Sequence, residues 1–300
     1  MDKFKSGFVA IIGRPNVGKS TLLNALLGQK VAIISPKPQT TRKKILAVMT
    51  DSDSQTVFLD TPGFHKPKNK LGDTMMNAVD SAIGDVDIVL CIVEPKDEVS
   101  ESEKKLIEKI KSIPSVLVIN KSDTVKKEEM LPVIKKYSQI HDFLDYICVS
   151  AKNGYNIDVL KDIIKSHLPE GPMYYPEDQI TDQQERQIVS EVIREKMLML
   201  LDKEVPHGVA VEILKMKQSE KNGSPFYDIS ANIYCEKDSH KGIIIGSKGK
   251  TLKQIGTSAR IECEKMLDAK VYLELWVKVK TDWRNSNSML KEFGFYEKDN

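Results

Sequence analysis

No apolar run in these 300 residues approaches the ~20 that a membrane-crossing helix needs. The first run, Phe8-Val-Ala-Ile-Ile12, has strand length and leads straight into a glycine-rich loop, so no signal peptide is read there. Cysteine is equally scarce: Cys91, Cys148, Cys235 and Cys263 form no C-x-x-C pair, which excludes a zinc ribbon and a disulfide framework. Cys91 and Cys148 lie in apolar strand-like runs and read as small buried hydrophobes, so a reducing, cytoplasmic compartment is expected. Net charge is also missing. The 45 Lys and Arg almost cancel the 43 Asp and Glu, leaving +2, and only local clustering can argue for nucleic acid. Internal repeats and low-complexity tracts are absent, and 40% hydrophobic against 29% charged residues excludes a disordered chain. The length predicts about two domains.

What the chain does have, immediately after that first run, is Gly13-Arg14-Pro15-Asn16-Val17-Gly18-Lys19-Ser20 followed by Thr21 and an apolar helical stretch. The string matches G-x-x-x-x-G-K-[ST], set between a strand and a helix as a phosphate cradle requires. Glycines at 13 and 18 let the backbone turn its N–H groups inward, and a helix N-terminus adds positive potential for an anion. Lys19 can reach the β- and γ-phosphates, and the Ser20 hydroxyl is placed for Mg²⁺.

Apolar periodicity extends this start into alternating strands and helices. Strands are expected at 7–12, 45–50, 56–59, 87–93, 115–119 and 146–149. Helices are expected at 19–27, 71–83, 101–111, 127–140 and 157–167. Such alternation implies an α/β domain with a mostly parallel sheet and helices on both faces. Leu168-Pro-Glu-Gly-Pro-Met-Tyr-Tyr-Pro176 then breaks the pattern, as three prolines and a glycine cannot continue a helix or a sheet interior. The resulting division is 1–170, a linker at 171–181, and 182–300. The last part reads as α+β: a helix at 182–203, strands at 209–217 and 227–236 joined through Asn222-Gly-Ser-Pro225, a glycine-rich loop, a helix at 252–267, a strand at 270–280 and a short terminal helix.

Three further motifs narrow the nucleotide. Asp60-Thr61-Pro62-Gly63 closes the strand at 56–59, where the carboxylate can hold Mg²⁺ through water and the Gly63 N–H can sense a γ-phosphate. Asn120-Lys121-Ser122-Asp123 closes the strand at 115–119. Asp123 can accept two hydrogen bonds from guanine, and adenine would leave that carboxylate unpaired. Lys121 can lie over the ring, while Asn120 can contact the base and tie its loop to the phosphate loop. Ser150, Ala151 and Lys152 end the next strand, and the Ala151 N–H can reach guanine O6. Pro38-Gln-Thr-Thr-Arg42 lies in a polar loop whose threonine can join Mg²⁺ only when a γ-phosphate draws it in; Thr41 is the choice and Thr40 the alternative. Lys19, Thr41 and Gly63 are thus the expected catalytic contacts for GTP hydrolysis to GDP. Phe64 stands where signalling GTPases carry a water-orienting glutamine, so intrinsic hydrolysis should be slow. His65 reads as an exposed loop histidine rather than a base, and Arg14 and Arg42 are open as groups that stabilise charge in cis.

In the second part, Gly246-Ser247-Lys248-Gly249 forms a G-x-x-G loop before an amphipathic helix. Two glycines admit a nucleic-acid backbone closely, and Lys241, Lys248, Lys250, Lys253 and Arg260 make five basic residues from 241 to 260 with no acidic one. Single-stranded RNA or DNA is the natural ligand. Residues 242–245 have strand periodicity, but a KH arrangement would make them a short helix, which is the expectation adopted. Trp276 and Trp283 read as core and strand-end packing, and His240 as a local hydrogen-bonding residue.

On these motifs, together with Phe64-His-Lys-Pro67, Val205-Pro-His-Gly208 and Trp283-Arg-Asn285, the whole chain resembles the Era family of bacterial GTPases. The resemblance implies a P-loop GTPase domain joined to a type II KH domain, a monomeric chain, and binding to 16S ribosomal RNA near its 3′ end during assembly of the 30S subunit. It implies a hydrophobic residue in place of the catalytic glutamine, matching Phe64, and a potassium ion at the asparagine matching Asn16. It also implies peripheral contact with the inner membrane surface and a link to cell-cycle control. Family members often carry Gly-Lys-x-Gly in the KH loop; this chain has Ser247 first and its lysine at 248. An alternative from another class is an RNA-binding scaffold in which GTP is a structural ligand. Asn120 to Asp123 opposes an ATPase or kinase, and a single set of nucleotide motifs opposes a tandem-domain ribosomal GTPase.

Overall fold

The computed structural model describes residues 4–96, 98–221 and 223–295. The chain forms two compact units. One contains the N-terminal stretch up to Ile34 with Thr41–Pro67 and Gly72–Asp182; the other contains Ser35–Thr40, Lys68–Leu71 and the chain from Gln183 onward. Among the described residues no helix is long and apolar enough to cross a membrane.

The first unit runs β1 (Lys5–Gly13), α1 (Lys19–Leu27), β2 (Ile45–Thr50), β3 (Ser54–Asp60), α2 (Lys70–Gly84), β4 (Ile88–Val93), α3 (Glu101–Lys109), β5 (Ser115–Ile119), α4 (Met130–Ser138), β6 (Asp145–Cys148) and α5 (Ile157–His167). Its six-stranded sheet has the order β2-β3-β1-β4-β5-β6. Only β2 runs antiparallel to its neighbour β3; the other pairings are parallel. Strands buried on both faces read as continuous apolar runs, and β1 makes the reason visible. Val9 and Ile11 join Leu22, Leu23 and Leu26 of α1 and Leu160 and Ile164 of α5 on one face. Ala10 and Ile12 join Val79 of α2, Leu106 and Ile107 of α3, and Val133 and Tyr137 of α4 on the other. The sheet therefore points the carboxyl ends of β1, β3, β4 and β5 towards one rim, where Gly13 and Asp60 end their strands and Glu94 and Asn120 follow theirs.

Residues 171–181 do not hang free of that unit. The Gly171 N–H donates to Phe4 O at 3.1 Å, the Gln55 carboxamide oxygen accepts from the Tyr174 and Tyr175 N–H groups, and Thr181 Oγ1 donates to Leu46 O at 2.7 Å. Cys91 is buried, whereas Cys148 is only half-buried because β6 is the sheet edge.

The second unit runs α6 (Glu185–Leu200), β7 (Ala210–Lys221), β8 (Ser224–Cys235), α7 (Asp238–Ile245), α8 (Lys250–Leu267), β9 (Lys270–Val279) and α9 (Asn287–Glu292). Its sheet has the order β7-β8-β9, antiparallel at the first pair and parallel at the second. Val192, Ile193 and Met197 of α6, Ile244 of α7 and Ile255, Ala259 and Cys263 of α8 pack on Ile229, Ala231, Ile233, Val271 and Val277 of the sheet. Residues 242–245 are helical, inside α7. The β7–β8 hairpin is longer than its apolar pattern predicts, with pairing continuing to Lys221 and Ser224; Asn222 lies outside the described residues.

The two tryptophans part company. Trp283 is wholly buried and its indole N–H donates to Gly208 O at 2.9 Å, which brings the Val205–Gly208 and Trp283–Asn285 segments together. Trp276 corrects the expectation of core packing: it is 56% exposed. Period-2 alternation explains this, because Leu275 and Val277 already face the helices and turn Trp276 to the open face. His240 is also not the local hydrogen-bonding residue expected, since its Nδ1 is shielded and has no partner among the described residues.

Candidate nucleotide site and nucleic-acid loop

At the rim of the first sheet, the loop after β1 crosses over the start of α1. Gly18 has φ 97°, and a Cβ there would collide with the Asn120 carboxamide, so only glycine serves. Lys19 is 6% exposed, and its ammonium donates to Gly13 O at 3.1 Å and Arg14 O at 3.0 Å. Burial lowers the Lys19 pKa to about 8, against the opposing pull of Asp60. Burial likewise raises Asp60 to about 6, opposed by Lys19 and by the hydroxyls of Ser20 and Thr41.

The Ser20 hydroxyl lies 2.8 Å from Thr41 Oγ1 and donates to Asp60 Oδ2 at 3.0 Å, and Thr41 Oγ1 donates to the same oxygen at 3.3 Å. Asp60 Oδ1 is buried with no hydrogen-bond partner among the described residues. Three converging hard oxygen donors and an orphaned carboxylate oxygen fit a small divalent cation such as Mg²⁺. Thr41 joins this cluster; Thr40 does not, because its hydroxyl donates to Lys37 O at 2.7 Å. Thr61 Oγ1 donates to Ile11 O at 2.8 Å, Pro62 and Gly63 are buried beside it, and the Phe64 N–H donates to Gly13 O at 3.0 Å. The Phe64 side chain joins the apolar cluster that contains Val79 and Leu106, so position 64 presents no hydrogen-bonding group. Arg14 is paired with Glu103 at 3.8 Å, and Arg42 is buried.

The base-side motifs meet around a cavity of about 850 Å³ lined by Gly18, Thr21, Asn120, Lys121, Asp123 and Lys152 among others. Asn120 is 2% exposed and bridges two loops: its Nδ2 donates to Val17 O at 2.9 Å and its Oδ1 accepts from the Ala151 N–H at 3.0 Å. Here the Ala151 N–H is engaged within the protein. The Ser150 hydroxyl donates to Asp123 Oδ1 at 2.6 Å and holds that exposed carboxyl below its usual range. Lys121 reaches Asn16 O at 2.6 Å and Glu94 Oε1 at 2.5 Å. Asn16 itself is exposed, at φ 66°. Sequence reasoning missed Glu94, which no motif marks, and Asn24, whose Oδ1 accepts from the Val31 and Ala32 N–H groups at 2.9 Å beneath the cavity. It also misread His65, which is half-buried with its ring nitrogen 2.7 Å from Gly63 O.

In the second unit, Gly246, Lys248 and Gly249 all have positive φ, at 71°, 50° and 75°. A Cβ at Gly246 would strike the Thr251 side chain. The loop thus projects Ser247, Lys248 and Lys250 into solvent with Lys253 one turn on, while Lys241 is half-buried on α7. Beside it lies a groove of about 370 Å³ between α8 and β9, lined by Gly249, Leu252, Lys253, Gly256, Thr257, Arg260, Leu273 and Leu275. The small Gly256 keeps that groove open, a feature the sequence alone did not single out.

Comparison with known proteins agrees with both halves. A family described as "50S ribosome-binding GTPase" matches residues 8–121, and a KH domain family matches residues 204–284. The chain is 53% identical over 293 residues to GTPase Era of Clostridium kluyveri, covering 97% of this chain and 99% of that one. It is 55% identical over 296 residues to GTPase Era of Clostridium novyi, covering 98% and 100%. Among solved structures it is similar to a point variant of Aquifex aeolicus Era bound to GDP·AlF4⁻, with TM-score 0.94 and 40% identity over 98% of this chain and 100% of that one. It is equally similar, at TM-score 0.94 and 40% identity over the same shares, to Era in complex with MgGDPNP and nucleotides 1506–1542 of 16S ribosomal RNA. With a phosphate loop and a KH fold joined in one chain, and full-length relatives at this identity, the chain belongs to the GTPase Era family and is a GTPase.

Proposed function

We propose that this GTPase is a switch whose nucleotide state governs the grip of residues 182–300 on 16S ribosomal RNA near its 3′ end, and that it assists assembly of the 30S subunit. The observation that carries the reading is the exposed, lysine-bearing loop at Gly246, Ser247, Lys248 and Gly249, opening on a groove in the same chain as the nucleotide site. A related structure holding 16S nucleotides 1506–1542 supports the choice of RNA over DNA, and of the small subunit over the 50S named for the broader family.

In this reading residues 13–21 cradle the phosphates, Asp123 with Asn120, Lys121, Ser150 and Lys152 selects guanine, and Ser20, Thr41 and Asp60 hold Mg²⁺. When bound, Mg²⁺ supplies charge neutralisation between the β- and γ-phosphates. Lys19 adds a buried positive charge at the same place, and the Gly63 N–H follows the γ-phosphate. Phe64 leaves the attacking water without a side-chain orienter, so turnover is slow. The exposed carboxamide of Asn16 offers the neutral oxygen that a potassium ion takes, and turnover in potassium should exceed that in sodium. Crosslinking of RNA to the full chain loaded with GTP or with GDP, followed by sequencing, tests the switch. Reads at the 16S 3′ end that depend on GTP support it; scattered reads, or reads equal in both states, refute it. Absence of turnover with potassium and RNA present would favour the scaffold reading.

A further inference from the structure

Both polar atoms of a single peptide unit, Gly63–Phe64, are pinned. Its N–H donates to Gly13 O at 3.0 Å, and its carbonyl oxygen lies 2.7 Å from His65 Nδ1. A carbonyl oxygen only accepts, so Nδ1 carries the proton and the ring is the Nδ1–H tautomer or its cation. The histidine is itself located from outside the loop, because its backbone N–H approaches Met76 Sδ on α2 at 3.5 Å. Its Nε2 is shielded and has no hydrogen-bond partner among the described residues. Gly63 lies flush on the phosphate loop: a Cβ there would sit 2.7 Å from Pro15 Cα.

We propose that His65 is a positioning residue for GTP hydrolysis, its Nδ1–H fixing the Gly63–Phe64 peptide so that the adjoining Gly63 N–H is presented to the γ-phosphate. Glycine imposes little torsional preference of its own, so a sensor built on it must be held by its neighbours. Gly13 holds one end of the peptide and His65 the other. With Phe64 supplying no polar group, the backbone donor at Gly63 is a larger share of what the loop contributes to the transition state. The inference rests on the reading that Gly63 faces the γ-phosphate.

The test uses the full chain with His65→Ala, His65→Asn and His65→Gln, measuring single-turnover GTP hydrolysis, GDP affinity and thermal stability. An asparagine amide reaches the place of Nδ1, whereas a glutamine amide reaches that of Nε2. His65→Ala should lose about tenfold in rate, the value of one oriented hydrogen bond, with GDP affinity unchanged. His65→Asn should recover most of the rate and His65→Gln should not. An unchanged rate in His65→Ala overturns the proposal, as does an asparagine variant as slow as alanine; recovery by glutamine in its place would assign the role to Nε2. Parallel losses of GDP affinity and stability would reduce His65 to a structural part and also overturn it. The Gly63 amide resonance of the parent protein separates the two layers: if it is the same with GDP and with a GTP analogue, the Gly63 reading fails, and if it shifts while His65→Ala hydrolyses at the parent rate, only the His65 inference fails.

Discussion

Replacing Asn120 with alanine should unfasten the base loop from the phosphate loop without touching either main chain directly. The carboxamide is 2% exposed and makes two hydrogen bonds, to Val17 O at 2.9 Å and from the Ala151 N–H at 3.0 Å. The backbone end of β5 survives the change, since the Asn120 N–H still donates to Val93 O. What is lost is a partner for two main-chain groups, and an orphaned buried group costs about 1–3 kcal/mol. Both lie beside an open cavity that admits water, so the lower half of that range applies and the sum is about 2–4 kcal/mol. For a unit of this size each kcal/mol moves the melting temperature by about 2–4 °C, so the expected fall is about 4–16 °C. Calorimetry on nucleotide-free protein should show it in the transition that added GDP raises. GDP and GTP affinities should fall together, by at least about tenfold, because the tie serves the pocket rather than the γ-phosphate. A transition within a degree of the parent, or a loss confined to GTP, would refute the bridging role.

Asp123→Asn should move preference from guanosine to xanthosine triphosphate by at least about a hundredfold, since an amide donor then meets the xanthine carbonyl; competition binding that still prefers guanosine would sink the base assignment. Proton competition at Asp60, whose pKa lies at about 6, gives the Mg²⁺-dependent gain in GTP-analogue affinity a definite sign. The gain should be flat above that value and shrink by about tenfold per pH unit below it, because Mg²⁺ takes only the deprotonated form; titrations giving one gain at pH 7.5 and pH 5 would contradict it. In the KH unit, Trp283→Phe orphans the Gly208 carbonyl inside a wholly buried site and should cost about 2–4 kcal/mol. Trp276→Ala, on the open sheet face, should cost less than about 1 kcal/mol, and chemical denaturation in the reverse order would refute the packing described.

The elements that the sequence made legible are those where chemistry dictates residue types one by one. A phosphate cradle needs two turning glycines, a lysine and a hydroxyl, so β1, the loop and α1 could be read at once. Buried parallel strands advertise themselves as apolar runs, which located β4 and β5 to within a residue or so. Where burial stops, so does the signal. The outer half of β7 reads as polar loop because Gln218, Ser219, Glu220 and Lys221 are exposed, yet their backbones still pair with β8. The stretch expected to be one helix at 127–140 begins as a 3-10 turn at Lys127–Glu129 and ends at Ser138, for helix ends depend on capping that apolar spacing does not encode. Register within a loop is harder still. Nothing local separates Thr40 from Thr41; the loop's path decides it, placing one hydroxyl on Lys37 O and the next on Asp60. His65 is the limiting case. Its letter sits in plain view beyond Asp60-Thr-Pro-Gly63, but its reach back to the Gly63 carbonyl depends on where α2 sets its backbone. A residue whose role is to hold another residue's backbone carries no sequence signature of its own, so such roles are found only once the peptide it holds has coordinates.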